Sequence, residues 1–237
     1  MLSPSFLHSG STGDVIYSLP TVAALSEGKP ASLYLFPGTP QATFPRPYAE
    51  SLLPLLRSQS YIRVADLWHG GTVDYDLDRF RRVGLNLAAF SIARWYQAVW
   101  PISLDLSRPW ISVEPSEQFA GKILFNRTTR YRNPKLSYSF LSGRDDVVFV
   151  GTREEAAEIG RTVHRVPCMT ARNHLELAQW IAGCRLFIGN QSSCFALAEA
   201  MKVNRVLEVC PTTPNVIPEG PGAWLAFDQA GLTGVVP

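Results

Sequence analysis

Residues 185–202, RLFIGNQSSCFALAEAMK, constrain the fold more than any other stretch of the chain. Residues 186–188 read as a short apolar strand, Gly189-Asn190-Gln191-Ser192-Ser193 as a tight polar turn, and residues 194–202 as a helix. Gly189 permits a sharp exit from the strand, and Ser192 or Ser193 is a suitable N-cap. The turn gathers free backbone N–H groups, two hydroxyls and an amide at one point, and the helix dipole favours an anion there. Parallel α/β sheets hold phosphate at such a place, the carboxyl end of a strand. An ordinary strand–helix connection that binds nothing has the same pattern, so this stretch alone leaves both readings open.

The rest of the chain repeats the unit. SFLH (5–8) reads as a strand, SGSTGD (9–14) as a turn, and residues 15–25 as an apolar helix in which Pro20 predicts a kink or a fresh start near Ser18. Asp14 opens that helix, where a carboxylate is favourable. It is either a helix cap or a general base exposed at the end of a strand. Strands are expected at 29–37 and 61–68, a loop at 37–47, helices at 48–57 and 86–100, and a linker at 101–115. The second half alternates strands (122–125, 146–150, 165–169, 186–188 and, last, 205–210) with helices (153–162, 173–184, 194–202). Glu208 is a charged residue inside an apolar strand, costly unless partnered, and an acceptor for ribose hydroxyls in dinucleotide folds. The expected class is α/β: two Rossmann-like lobes, residues 1–112 and 113–215, with a ligand cleft between them. A Pro- and Gly-rich tail, residues 216–237, is drawn as crossing back to the first lobe.

Charge narrows the ligand class. A net charge of +2 over 237 residues gives no reason to invoke nucleic acid. Eighteen of the 22 basic residues are Arg, whose planar fork grips phosphate or carboxylate bidentately. Residues 118–144 contain no acid but carry Lys122, Arg127, Arg130, Arg132, Lys135 and Arg144, just after a strand. Thr128, Arg130 and Arg132 in that loop are donor-side candidates, together with Gly189, Asn190, Gln191, Ser192, Ser193 and Glu208. Asp74, Asp76 and Asp78 alternate and permit a metal-held diphosphate, or are neutralised by Arg79, Arg81 and Arg82 beside them. The four cysteines form no C-x-x-C pair and read as buried thiols. Cys194 stands at a helix start, but packing is its expected role. No basic, apolar leader and no membrane-length apolar run is visible, so a cytoplasmic location is expected.

The run SGSTGDVIYSLPTVAAL resembles the N-terminal signature of the heptosyltransferase-like glycosyltransferases (glycosyltransferase family 9, GT-B fold). The VGTREE segment, the LAQWIAGC helix and FIGNQSSCFALAEAM follow that family's C-terminal lobe in order. The resemblance implies an inverting, metal-independent transfer of a sugar from a nucleotide-diphosphate sugar to a glycan or other hydroxyl acceptor. No cofactor is needed, because the nucleotide-sugar is itself a substrate. It makes Asp14 the catalytic base, with Gly13 beside it, and residues 189–193 the donor-phosphate loop. The chain departs from the family at Gln191, where an Asp is common, at Ser193 (Gly) and at Ala196 (His). Two other readings stand beside it: transfer to a hydroxymethylated pyrimidine in DNA, with Arg79, Arg81, Arg82 and Arg94 on phosphates, and a nucleotide-sugar-binding module without catalysis.

Overall fold

The computed structural model of the chain describes residues 3–38 and 44–236, so residues 39–43 of the expected 37–47 loop lie outside the described residues. The first lobe contains β1 (Ser5–His8), α1 (Thr12–Leu25), β2 (Ala31–Leu35), α2 (Arg46–Arg57), β3 (Ile62–Leu67) and β4 (Tyr75–Asp76). The second contains β5 (Ile123–Asn126), β6 (Val147–Val150), α3 (Arg153–Ile159), β7 (Cys168–Met169), α4 (His174–Gly183), β8 (Leu186–Gly189), α5 (Ser193–Met201), β9 (Arg205–Glu208), β10 (Ala223–Ala226) and α6 (Gln229–Thr233). The central strands are short apolar runs because a parallel sheet is covered on both faces; β5, β6 and β8 are buried at every residue.

The sheet orders decide where a ligand can go. The first sheet runs β3-β2-β1-β4 and the second β10-β9-β8-β5-β6-β7, with every neighbouring pair parallel. In each sheet the chain winds outward from its first strand, then returns to that strand's other side. The direction of winding therefore reverses between β1 and β4, and again between β5 and β8. Crevices open at such reversals, at the carboxyl ends of the strands. The two Rossmann-like lobes expected from the sequence are present, each with one reversal.

A single apolar core joins the lobes. Phe6, Val15, Leu33 and Leu52 of the first lobe belong to the same cluster as Leu124, Phe187, Phe195 and Ala198 of the second. Pro20 lies inside a continuous α1 and starts no new helix at Ser18. It has no N–H to give the carbonyl of Ile16 four residues back. The indole Nε1–H of Trp110, in the linker, donates to that carbonyl at 3.0 Å.

Two expectations are corrected. Residues 86–100 are not one α-helix: Asn86 turns its side chain onto the N–H of Ala88, and only Ile92–Ala98 winds, as a 3-10 helix. Ile92 also gives its N–H to the carbonyl of Asn215, which draws this segment toward the second lobe. β9 is not the last strand, because β10 pairs beyond it. The tail extends the second sheet through β10, with Ala226 and Leu232 buried in that lobe's own core, and its Glu219 accepts a bidentate pair from Arg94 of the first lobe at 2.9 and 2.7 Å.

Candidate functional site

At the first reversal the chain leaves β1 through Ser9 and Gly10 and enters α1. The N–H of Ser9 donates to Asp78 Oδ2 at 2.7 Å, and that of Gly10 to His8 Nδ1 at 2.8 Å. His8 Nδ1 is thus an acceptor, so the ring proton sits on Nε2 and points at the Tyr96 hydroxyl, 2.9 Å away. Tyr96 in turn donates to the backbone carbonyl of Asp14 at 3.1 Å. Burial holds His8 below the ordinary histidine pKa, against the pull of the Asp78 and Asp14 carboxylates.

The Asp14 carboxylate is bracketed. Ser11 Oγ donates to one oxygen at 3.1 Å, and Arg81 Nη2 to the other at 3.3 Å. Arg81 also donates Nε to Asp78 at 3.2 Å. Gly10 is what allows this closeness: a Cβ there would lie 2.5 Å from His8, 2.7 Å from Arg81 and 3.0 Å from Asp14. The Ser11 side chain turns to Asp14 and caps no amide of α1, so the N–H groups of Thr12, Gly13 and Asp14 have no acceptor among the described residues. Gly13 stands here, in the first lobe.

At the second reversal a loop and a turn are stapled together. The side chain of Asn190, fully buried, accepts from the N–H of Thr128 at 3.0 Å and donates to the carbonyls of Thr128 and Arg130 at 3.2 and 2.6 Å. Tyr131 is held at φ +54°, a left-handed conformation costly for an aromatic residue. The loop's other end is anchored by Glu208. Its carboxylate is fully buried, takes a bidentate pair from Arg127 at 2.8 and 2.9 Å, and accepts the N–H of Asn133 at 2.6 Å. Glu208 therefore turns inward and shapes the loop. Arg132 likewise spans its own loop, from the carbonyls of Thr128 and Arg127 to Glu158 Oε1. Arg130 is exposed, its guanidinium 5.7 Å from the centre of the Tyr131 ring, with no carboxylate partner among the described residues.

Gly189 matters by closeness and not by backbone sign. A Cβ there would sit 3.0 Å from the carbonyl oxygen of Asn126 on β5 and 2.9 Å from Phe187. Ser192, not Ser193, caps α5, accepting from the N–H of Phe195 at 3.3 Å. The N–H groups of Ser193 and Cys194 have no acceptor among the described residues. Burial pushes the Cys194 thiol up to about 12, so it packs and does not react.

Gln191 links the two reversals. The carbonyl of Leu87 can only accept, so Asn215 must turn its Nδ2 there, at 2.7 Å, and its Oδ1 toward Gln191. Gln191 then presents Nε2 to Asn215, at 2.7 Å, and its Oε1 is buried with no partner. Asn215 also accepts from Ile92 at the start of the 3-10 helix that carries Tyr96. A chain of contacts thus runs from Gln191 through Asn215 and this helix to Asp14.

The sequence names Asp14, Asn190 and Ser192, which stand at the two turns, but not His8, Asn215, Arg81 as a partner of Asp14, or the hydrogen bonds of the Tyr96 hydroxyl. Only His8 carried a local signal, a buried imidazole ending a strand. The alternating acids are engaged: Asp74 accepts from Ser5, Asp76 caps the 3-10 turn Leu77–Arg82, and Asp78 holds Ser9 and Arg81. No group of three or more His, Cys, Asp or Glu among the described residues is arranged to hold a metal ion. No helix of the described residues is long and apolar enough to cross a membrane.

No protein-family model matches the chain, and no curated protein does either. Solved structures do match. The glycosyl transferase family 9 protein from Veillonella parvula DSM 2008 is 14% identical, with 95% of this chain and 88% of that chain covered and a TM-score of 0.62. For E. coli ADP-heptose lps heptosyltransferase II the values are 15%, 95%, 90% and 0.63. For E. coli heptosyltransferase WaaC with ADP-2-deoxy-2-fluoro heptose they are 10%, 97%, 94% and 0.61. Two doubly wound lobes, each with its reversal at the start of a strand–turn–helix unit, give this chain the GT-B fold of the heptosyltransferase-like glycosyltransferases.

Proposed function

We propose that the chain is an inverting glycosyltransferase that moves a sugar from a nucleotide-diphosphate sugar to an acceptor hydroxyl without a metal ion. The observation that carries this reading is the start of α5. Two N–H groups there, without an acceptor among the described residues, suit a phosphate. Arg130, exposed and without a carboxylate, is the cation available to the second phosphate. Thr128 and residues 189–193 complete the donor side. Arg132 and Glu208 serve it by holding the loop, and Gly13 by keeping the start of α1 open.

In the reaction the acceptor oxygen forms a bond to the anomeric carbon as the bond from that carbon to the diphosphate oxygen breaks. The electron pair leaves with the diphosphate, whose growing charge meets the α5 amides and Arg130. The acceptor's proton passes to Asp14, on the other lobe, as attack from the face opposite the leaving group requires. The heptosyltransferase structures that share the fold make ADP-heptose the first donor to try. A DNA acceptor loses support, because Arg81, Arg82 and Arg94 are paired with Asp14, Asp76 and Glu219.

A thermal-shift screen of nucleoside diphosphates and their sugars identifies the donor. With it, Asp14→Asn keeps the shape and removes the basicity. It is expected to bind donor as wild type does and to lose turnover by about 10²-fold or more, with EDTA without effect on wild type. Full activity in Asp14→Asn would refute the assignment. Wild-type binding with no transfer or hydrolysis would favour a binding module.

A further inference from the structure

We propose that Arg81 is a positioning residue for the transfer, holding the Asp14 carboxylate in place and passing to Asp78 when Asp14 takes up a proton. This rests on the reading of Asp14 as the base. Arg81 lies between two carboxylates, with Nη2 at 3.3 Å from Asp14 and Nε at 3.2 Å from Asp78. All three side chains are largely buried, at 21% exposure for Arg81, 18% for Asp14 and 15% for Asp78. A guanidinium in such a place is costly without a counter-ion. A base whose only neighbour were that guanidinium would be held back from accepting a proton, since neutralising it would strand the cation.

Asp78 removes that obstacle. Its second oxygen is fixed by the N–H of Ser9, so it stays beside Arg81 whatever the state of Asp14. When the acceptor's proton reaches Asp14, the Nη2 contact weakens and the Nε contact to Asp78 remains. The cluster goes from two carboxylates and one cation to one of each. A lysine cannot replace this, because one ammonium lacks the fork that spans both carboxylates. Arg81 touches no substrate in this scheme and acts only through Asp14. Gly10 fits the same role, since any side chain there would strike both members of the Asp14–Arg81 pair.

The test measures release of nucleoside diphosphate from ADP-heptose and from UDP-glucose, with water as acceptor, for wild type, Asp14→Asn, Arg81→Gln, Arg81→Lys and the Asp14→Asn/Arg81→Gln double variant. Circular dichroism checks that each folds, and Arg81→Lys carries the test should Arg81→Gln not fold. Arg81→Gln is expected to lower kcat by about 10- to 100-fold with KM for the donor within about twofold of wild type, and Arg81→Lys to fall between the two. The double variant is expected to be no slower than Asp14→Asn alone, because Arg81 has nothing left to position. If Asp14→Asn is inactive while both Arg81 variants match wild type, or the double variant is slower by the product of the single effects, the role of Arg81 is overturned and the base stands. Full activity in Asp14→Asn, or no release by wild type from either sugar, overturns both.

Discussion

The two winding reversals share a topology and differ in chemistry. At the first, between β1 and β4, the turn is held by ionised side chains: Asp14, Arg81 and Asp78, with neutral His8 behind them. At the second, between β5 and β8, the groups of the turn are neutral, Asn190, Gln191 and the Ser192 cap, and the exposed cation is Arg130 of the loop stapled to it. The charged pair of that lobe, Arg127 and Glu208, is turned inward to brace the loop. A proton acceptor needs a carboxylate whose surroundings tolerate a change of charge, and the first reversal supplies a second carboxylate for the cation. A diphosphate brings its own charge and needs fixed dipoles, and the second reversal supplies amides. On the proposed function, one fold unit serves two roles through which groups it leaves free.

The comparison is broken most severely at Glu208. Glu208→Ala leaves the Arg127 guanidinium without its partner and frees the N–H of Asn133, so a loss of about 3–5 kcal/mol is expected in denaturant unfolding. A change below about 1 kcal/mol would mean that the loop does not depend on this pair. Acid tests the seam between the lobes. His174 of α4 bonds Ser51 of α2 through Nδ1 at 2.8 Å, and burial lowers its pKa to about 4. The folded value lies below the unfolded one, so His174 contributes its full share of stability above pH 6.5 and loses it as pH falls toward 4. The gap corresponds to about 3 kcal/mol. His174→Gln should flatten the stability profile between those values, and an unchanged slope would exclude His174 as its source. His8 shifts in the same direction, so some slope should survive in that variant.

The sharpest arm compares two arginines of the basic stretch. Arg144 is paired with Asp146, whereas Arg130 has no carboxylate partner among the described residues. Arg130→Ala should weaken binding of ADP by about tenfold in calorimetry and Arg144→Ala by less than about twofold. Equal losses would move the second phosphate elsewhere. Arg132→Ala belongs with the loop-bracing group and should lower the melting temperature as well as the affinity.

How much of this was legible in the sequence follows from the range of the interactions. β1 and the serine cap of α5 are local events, and both are present, the cap at the first of the two serines the pattern offers. The strand order is not local, yet alternating strands and helices limit it to few choices. Glu208 was recognisable as an anomaly, but its partner Arg127 lies 81 positions away and nothing nearby names it. The acidic run was read as a metal motif or a neutralised cluster. The second holds for Asp76 and Asp78, paired with Arg82 and Arg81, whereas Asp74 is held by Ser5, Arg79 lies by the Trp100 ring, and Arg81 also reaches Asp14, 67 positions earlier. Tyr96 fell inside a segment whose apolar spacing matched an α-helix, and the turn at Asn86 was masked by that period. The closing strand β10 was hidden by its exposure: Trp224 and Leu225 are open to solvent, so the strand lacks the continuous burial of β5, β6, β8 and β9.

Trp110 donating to the carbonyl that Pro20 leaves open has a consequence for how such a chain can vary. Trp110 also gives its backbone N–H to Ala200 and its carbonyl to the Tyr61 hydroxyl, so this one linker residue is tied to α1, α5 and the start of the third strand. Replacing the indole first would strand a buried carbonyl inside α1. Replacing the proline first, with alanine, would restore the helix's own donor and remove the need for the indole bond. The two positions therefore form a lock with an order of release: position 20 sets how freely position 110 can change without harm to the helix that carries Asp14.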